Sequence, residues 1–215
     1  MLNRLRRFLR ENGCYVLATS LVELNRSAVR NSLISRKLGV KKIRIGPEAY
    51  LRGLSFIEMG EDFSAGRGLW LEAISRYNDQ EFTPRIVIGN HVRISQFAHI
   101  AATHLIEIGD NVLIGSKVLI TDHNHGQYSH PNHTSPLTIP TDRPLDRERS
   151  VLIGRNVWLG DGVVVTAGSS IGEGSVIGAN SVVHGSIPAC TVVEGTPATV
   201  RKAFNFDAMK WCKTG

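Results

Sequence analysis

The stretch IGRNVWLGDGVVVTAGSSIGEGSVIGANSVV, residues 153–183, decides the fold. Every sixth residue in it is aliphatic, and Gly follows most of these residues; the aliphatic positions are Ile153, Leu159, Val165, Ile171, Ile177 and Val183. A fixed period of six is typical of a solenoid, and helical spacing between the hexads is absent. We expect the following Gly to help the chain turn, because it accepts backbone angles closed to other residues.

The same period extends toward the N-terminus, through residues 88–120 and 45–71. The fifth position of each hexad is usually small or β-branched, as at Val112, Val118, Val157, Val163, Ser169, Ser175 and Ser181. Because side chains alternate along a strand, the first and fifth positions point inward and the sixth points outward. Three strands and three turns make a coil of roughly 18 residues, and stacked coils bury aliphatic ladders. The sequence predicts an all-β parallel β-helix.

The period also divides the chain. We expect an N-terminal helical and basic segment at residues 1–44, a β-helix domain at residues 45–199 and a C-terminal capping segment at residues 200–215. Residues 77–85 are polar and can loop out between coils. Residues 126–150 form a longer insertion, rich in Pro, His, Asp and Arg, and long loops in compact folds are usually functional. A short capping helix is predicted at residues 200–211.

Composition limits the partners and the compartment. The net charge of +6 favours anionic partners. Nucleic-acid binding has this charge but no motif. Three widely separated cysteines, Cys14, Cys190 and Cys212, favour neither a disulfide framework nor a zinc site. A reducing compartment fits best, so we expect a cytoplasmic protein. No apolar run reaches the length of about 18 residues that would span a membrane.

The N-terminal segment allows two interpretations. Basic residues flank apolar residues at helical spacing; they are Arg4, Arg6, Arg7 and Arg10. Such a helix can lie on a membrane surface and bring the protein to a lipid-linked acceptor at the inner face of the membrane. Alternatively, it packs on the first coil. The sequence leaves both open.

Three motifs carry a family resemblance: residues 108–126, IGDNVLIGSKVLITDHNHG; residues 153–183, quoted above; and residues 187–198, IPACTVVEGTPA. With them the chain resembles the left-handed β-helix, hexapeptide-repeat acyltransferases. The nearest likeness is to galactoside and maltose O-acetyltransferases and to O-acetyltransferases of bacterial surface polysaccharides. The resemblance covers residues 86–202 well and implies the left hand of the coil, a homotrimer, and acetyl transfer from acetyl-CoA to a sugar hydroxyl, without a metal.

Acetyl transfer to a hydroxyl needs a base, and the sequence offers two candidates in Thr-Asp-His-Asn-His-Gly, residues 121–126. Histidine suits the role because it exchanges a proton near neutrality. Continuing the frame from Ile120 puts Asn124 at an inward position, His125 at an outward position on a strand face, and His123 at a turn. Galactoside-type relatives carry their catalytic His just before such an insertion. We therefore expect His125 to be the base, with His123 as the second candidate.

The resemblance also implies binding residues. The CoA arm is expected along the coils after the insertion, in a groove between two subunits, at Trp158, Gly160, Asp161, Ala179 and Lys202. Ser95 and Gln96 occupy the position of a substrate-binding residue. Two positions depart from the family pattern. His184-Gly185 replaces a Thr-Lys pair and Thr199 replaces an Arg, so basic groups expected near the nucleotide are missing.

Other functions remain open at this point. The runner-up is a sugar-nucleotide N-acyltransferase or an antibiotic acetyltransferase. A γ-type carbonic anhydrase shares the fold and needs three zinc-binding histidines. His99, His123 and His125 are available, but their spacing does not match that family. A non-catalytic β-helix would have regular hexads without a His-bearing insertion.

Overall fold

The computed structural model describes residues 10, 22–23, 25–128, 133–146 and 149–214. Seven coils can be traced within these residues. The first coil contains β1 (Arg44–Ile45) and β2 (Tyr50–Arg52), and the second contains β3 (Ile57–Met59), β4 (Ser64–Ala65) and β5 (Trp70–Ala73). A hairpin of β6 (Arg76–Tyr77) and β7 (Gln80–Glu81) follows. The third coil contains β8 (Arg85–Ile88), β9 (Arg93–Ile94) and β10 (His99–Ala102). The fourth coil contains β11 (Leu105–Ile108), β12 (Leu113–Ile114) and β13 (Leu119–Thr121), and the fifth contains β14 (Val151–Ile153), β15 (Trp158–Leu159) and β16 (Val164–Val165). The sixth contains β17 (Ser170–Ile171), β18 (Val176–Ile177) and β19 (Val182–Val183). The seventh contains β20 (Ser186–Ile187) and β21 (Thr191–Gly195). Two 3-10 turns lie at Leu54–Phe56 and Pro140–Asp142.

The chain winds in left-handed coils, which stack into a three-sided prism whose faces are three parallel sheets. Sheet 1 contains β3, β8, β11, β14, β17 and β20, and sheet 3 contains β2, β5, β10, β13, β16 and β19. Sheet 2 contains β1, β4, β9, β12, β15, β18 and β21. A full coil visits sheets 1, 2 and 3 in that order, so the prism has a 1–2 edge, a 2–3 edge and a 3–1 edge. The predicted β-helix is confirmed.

Aliphatic ladders fill the interior of the prism, as the hexad pattern predicts. In sheet 1 the register pairs the first hexad position of successive coils; the residues are Ile88, Ile108, Ile153, Ile171 and Ile187, all buried. Fifth positions such as Val157, Ser169 and Ser175 are also buried. Each coil covers the apolar surface of its neighbours, so the core is continuous along the axis.

The glycine after each aliphatic residue has a different role from the one expected. A Cβ on Gly160 would lie 2.7 Å from the backbone nitrogen of Ala179 in the next coil, and Gly109 meets Arg155 in the same way at 2.6 Å. Neither glycine has a positive φ; that conformation occurs two residues later, as at Gly162, with φ +69°. Stacked corners approach too closely for a side chain, so these glycines are needed for space rather than for turning.

Both ends of the solenoid are covered. Residues 25–38 form helix α1, whose Ile34 is buried and whose Arg30 donates hydrogen bonds to the carbonyl oxygens of Ile45 and Gly46 in the first coil. At the other end, β22 (Ala198–Asn205) and β23 (Lys210–Lys213) form an antiparallel hairpin on β21. The capping helix predicted at residues 200–211 is therefore wrong. Instead, β22 pairs with β21 and continues sheet 2, so a strand covers this edge of the sheet.

The N-terminal predictions are tested only in part. Arg4, Arg6 and Arg7 lie outside the described residues, and Arg10 is exposed in a helical position. Helix α1 packs on the first coil, whereas the packing predicted for the basic helix with Arg4, Arg6 and Arg7 stays a prediction. No helix among the described residues is both long enough and apolar enough to cross a membrane.

The two interruptions of the repeat leave the prism at the same edge. The β6–β7 hairpin follows a strand of sheet 3 and precedes one of sheet 1, and the insertion at residues 126–150 does so two coils later. They touch across this 3–1 edge: Gln80 exchanges two hydrogen bonds with the backbone of Leu145, at 3.1 and 2.7 Å. The hairpin therefore holds the insertion against the prism.

Candidate active site

His125 stands at the 3–1 edge, where the chain leaves β13 for the insertion. Its backbone forms an antiparallel bridge with Leu145, and its side chain is exposed. The Tyr77 hydroxyl lies 3.2 Å from His125 Nδ1 and donates a 2.8 Å hydrogen bond to the carbonyl oxygen of Thr141. The two rings meet edge to face, with centroids 5.1 Å apart. The imidazole is thus accessible and held on one side.

The backbone around His125 is also fixed by the insertion. The Tyr128 hydroxyl donates a 2.6 Å hydrogen bond to the carbonyl oxygen of His125. Arg143 in turn donates to the Tyr128 hydroxyl, at 2.9 Å, and to the carbonyl oxygens of Thr138 and Pro136. The guanidinium of Arg143 therefore braces the insertion.

His123 has a different environment, because it pairs with a buried carboxylate. Its Nδ1 lies 2.9 Å from Oδ1 of Asp122, whose side chain has no exposed surface. Asp122 also accepts hydrogen bonds from the backbone N–H groups of Thr103 and His104, both at 2.8 Å. Burial alone would raise the pKa of Asp122, but these hydrogen bonds outweigh it and lower that pKa below its ordinary value. Asp122 therefore stays ionised, and His123 Nδ1 must be the donor.

The repeat frame fails just before these histidines. Strand β13 ends at Thr121, Asp122 takes the buried position, and Asn124 is exposed and bonded to Asp146 of the insertion. The inward position predicted for Asn124 and the strand face predicted for His125 are therefore wrong, although His125 does point outward. A buried Asp satisfying two backbone donors ends the strand early. Sequence reasoning missed Asp122 and Tyr77; the signal for Tyr77 was its place in a segment that breaks the period.

The residues expected to bind CoA and acceptor lie mainly at the 2–3 edge. Ser95 and Gln96 follow β9, Gly160 and Asp161 follow β15 two coils later, and Ala179 follows β18. The Asp161 carboxylate accepts a 2.6 Å hydrogen bond from the backbone N–H of Ser116, in the coil between. Ala179 is exposed. The structure therefore brings all five residues into one column.

Trp158 and Lys202 extend this region over sheet 2. Trp158 is half exposed and lies between Leu113 and Val176 in the outward column of the sheet. Lys202 is exposed on β22, opposite Lys213. The β22–β23 hairpin carries four exposed cations; they are Arg201, Lys202, Lys210 and Lys213. Arg155 instead pairs with Glu173, at 2.8 Å, on the 1–2 edge.

The candidate catalytic residues and the candidate binding residues are on different edges of one chain. His123 and His125 are at the 3–1 edge, whereas Ser95 and Ala179 are at the 2–3 edge, with sheet 3 between them. Within the described residues, no three His, Cys, Asp or Glu side chains are grouped so that they could hold a metal ion. Within one chain, the two groups of candidate residues are therefore apart.

Comparison with known proteins identifies the family. Residues 150–185 match the family described as "Bacterial transferase hexapeptide (six repeats)". A protein of Escherichia coli (strain K12), assigned to lipopolysaccharide biosynthesis as the O-acetyl transferase WbbJ, is 42% identical over 164 residues, which are 76% of this chain and 80% of that protein. The chain belongs to the hexapeptide-repeat acyltransferases. The resemblance stated from the sequence is confirmed.

Solved structures show the same fold. A galactoside acetyltransferase in complex with coenzyme A is 26% identical, with a TM-score of 0.50, over 82% of this chain and 70% of that one. A mutant of the Bacillus cereus N-acyltransferase AntD, in complex with dTDP-4-amino-4,6-dideoxyglucose and coenzyme A, is 19% identical, with a TM-score of 0.63, over 79% and 84%. A Vibrio cholerae hexapeptide-repeat acetyltransferase with acetyl coenzyme A is 24% identical, with a TM-score of 0.53, over 83% and 78%.

Proposed function

We propose that this protein transfers the acetyl group of acetyl-CoA to a sugar hydroxyl of a bacterial surface polysaccharide or of its lipid-linked precursor. The observation that carries the proposal is the exposed imidazole of His125, held beside the insertion in a chain 42% identical to an O-acetyl transferase of lipopolysaccharide biosynthesis. A hydroxyl is a weak nucleophile, and a neutral imidazole can take its proton as the new C–O bond forms.

In the proposed reaction, the acceptor hydroxyl attacks the thioester carbonyl. His125 accepts the hydroxyl proton, the C–S bond breaks, and the proton passes to the departing sulfur to give free CoA thiol and the acetyl ester. No oxidant or metal enters this balance. His123 is the second candidate base. Its pairing with Asp122 supports a structural role for it, because its Nδ1 is occupied and its side chain is largely buried.

The 2–3 edge is the proposed site for CoA and the acceptor. Trp158 offers an exposed aromatic surface to the pantetheine arm, and the corners at Gly160, Asp161 and Ala179 give it backbone groups to contact. Lys202 is proposed to meet the phosphates, with the other cations of the β22–β23 hairpin nearby, where they compensate for the basic groups missing at residues 184–185 and 199. Ser95 and Gln96 are proposed to contact the sugar.

A homotrimer would join the two half-sites. If three copies turn sheet 3 toward a threefold axis, the 2–3 edge of each copy lies beside the 3–1 edge of the next. The outward column of sheet 3 suits such burial, since it consists of Tyr50, Trp70, His99, Leu119, Val164 and Val182. The matching column of sheet 1 is more polar, with Glu58, Val87, Glu107, Leu152, Ser170 and Ser186. Closed rings of this kind are the usual form of symmetric assembly.

The proposed location is the cytoplasm, at the inner face of the membrane. Cys190 and Cys212 are free thiols, which suits a reducing compartment. Contact with the membrane through the N-terminal segment is tested by co-sedimentation with vesicles of phosphatidylethanolamine and phosphatidylglycerol. A variant with Arg4, Arg6, Arg7 and Arg10 replaced by Gln should bind less. Equal binding by both proteins would end the membrane proposal.

The activity itself is tested by release of CoA thiol from acetyl-CoA. The acceptors form a panel of free sugars, polysaccharide repeats, glycolipids and amino sugars. An ester product on a polysaccharide repeat or glycolipid that depends on His125 supports the proposal. An amide product on an amino sugar would show an N-acyltransferase instead.

A further inference from the structure

The β6–β7 hairpin places a phenol against the imidazole of His125. Tyr77 is the last residue of β6, and its hydroxyl contacts both His125 Nδ1, at 3.2 Å, and the carbonyl oxygen of Thr141, at 2.8 Å. Asn78 donates a second hydrogen bond to Thr141, at 3.0 Å. Together with the Gln80–Leu145 pair, these contacts hold the hairpin against His125 and against the insertion that follows it.

The hydrogen-bond chemistry of this contact determines a tautomer. A phenol has one proton, and a carbonyl oxygen can only accept. The 2.8 Å contact to Thr141 therefore uses the Tyr77 proton, and the hydroxyl oxygen must accept in the contact with His125. Nδ1 of a neutral His125 then carries the hydrogen, which leaves the lone pair on Nε2, the nitrogen on the far side of the ring from Tyr77.

We infer that Tyr77 is a positioning residue that keeps His125 in the Nδ1–H tautomer and aims Nε2 at the acceptor hydroxyl. This inference rests on the proposed role of His125 as the base. A base in the wrong tautomer has no lone pair where the reaction needs it, so an orienting partner can matter as much as the base's own location. His123 needs no such partner, because Asp122 already fixes its Nδ1–H.

The first test observes the tautomer without any activity assay. In protein labelled with ¹⁵N-histidine, long-range ¹H–¹⁵N spectra at alkaline pH should show His125 with its hydrogen on Nδ1. In Tyr77→Phe, the Nε2–H form should appear. Tyr128→Phe is the matched control, since it removes a hydroxyl bonded to the His125 backbone but not to its ring, and the tautomer should stay unchanged. An unchanged tautomer in Tyr77→Phe would overturn the inference.

The second test asks whether the tautomer matters for turnover. Tyr77→Phe should lower kcat by about tenfold, the usual scale of one neutral hydrogen bond, with the KM for acetyl-CoA nearly unchanged. In a His125→Ala background the same substitution should have no further effect on kcat. An equal loss in both backgrounds would show that Tyr77 acts only through the fold. If His125→Ala alone keeps full activity, the proposed base is wrong, whereas the spectra still report on the contact with Tyr77.

Discussion

Asp122 and His123 form a buried carboxylate–imidazole pair, 2.9 Å apart, that also closes the fourth coil. The same carboxylate accepts the backbone N–H groups of Thr103 and His104 from the coil below. One side chain thus joins two coils and supports the loop that leads to His125. This arrangement makes Asp122 a determinant of stability next to the proposed base.

Replacing Asp122 by Asn should therefore destabilise the protein. The amide keeps the size of the carboxylate, but its NH₂ group faces a donor, so a buried hydrogen bond is lost at a cost of about 1–3 kcal/mol. The melting temperature, followed by circular dichroism at neutral pH, should fall. A melting temperature equal to that of the wild type would contradict the role given to this carboxylate.

The stability conferred by Asp122 should also depend on pH with a definite sign. Folding lowers the pKa of Asp122, because the folded protein stabilises the ionised carboxylate more than the unfolded chain does. The stabilisation is complete above the ordinary pKa of an Asp, about 3.9, and is lost as the pH falls through the lower, folded value. The difference in unfolding free energy between wild type and Asp122→Asn should shrink in that acid range.

His125→Ala should lower kcat by about 10²–10⁴-fold, the usual contribution of a general base. The KM for acetyl-CoA should change little, because proton transfer strengthens only in the transition state. His91→Ala, an exposed histidine paired with Asp62, is the control and should keep full activity.

His123→Ala separates the two candidate bases. We expect a loss of roughly tenfold in kcat, through disorder of the loop, together with a lower melting temperature. If His123→Ala abolishes turnover while His125→Ala keeps most of it, the base is His123 and the buried pair with Asp122 orients it.

Trp158→Ala should raise the KM for acetyl-CoA by about tenfold with little change in kcat, because the lost apolar contact is made equally in the ground and transition states. Trp158→Phe keeps a ring at the same position and should recover most of the affinity. A fall in kcat without a change in KM would place Trp158 at the reacting carbonyl instead of along the arm.

The sequence predicts the solenoid well because each repeat fixes its own packing. The ladder from Ile88 to Ile187 follows directly from a period of six. Prediction fails where the period stops. Asn124 is displaced by Asp122, whose burial depends on backbone donors from another coil, and Tyr77 reaches His125 across 48 positions of the chain. The C-terminal strands continue sheet 2 by pairing with β21, a contact that lies outside the hexad pattern. These are tertiary effects, which local spacing does not encode.

The assembly proposed from the two edges can be tested with two matched leucines. Leu119 is in the outward column of sheet 3, and Leu152 is in that of sheet 1. Leu119→Asp would bury a charge at the threefold axis and should yield monomers by light scattering. Leu152→Asp leaves its charge in solvent and should remain a trimer. Dissociation by Leu152→Asp alone would mean that sheet 1 forms the contact.

Mixed trimers test whether one active site contains residues from two copies of the chain. The hybrid contains His125→Ala chains, which keep Trp158, and Trp158→Ala chains, which keep His125. If a site combines His125 of one chain with Trp158 of its neighbour, one arrangement of the two variants restores an intact site. Random mixing of equal amounts should restore about a quarter of the wild-type sites, because each interface pairs two independently drawn chains. At acetyl-CoA concentrations below the KM of the Trp158 variant, the refolded mixture should therefore exceed the summed activity of the two separate proteins. An activity equal to that sum would show that each chain carries a complete site, and that His125 and Trp158 of the same chain act together.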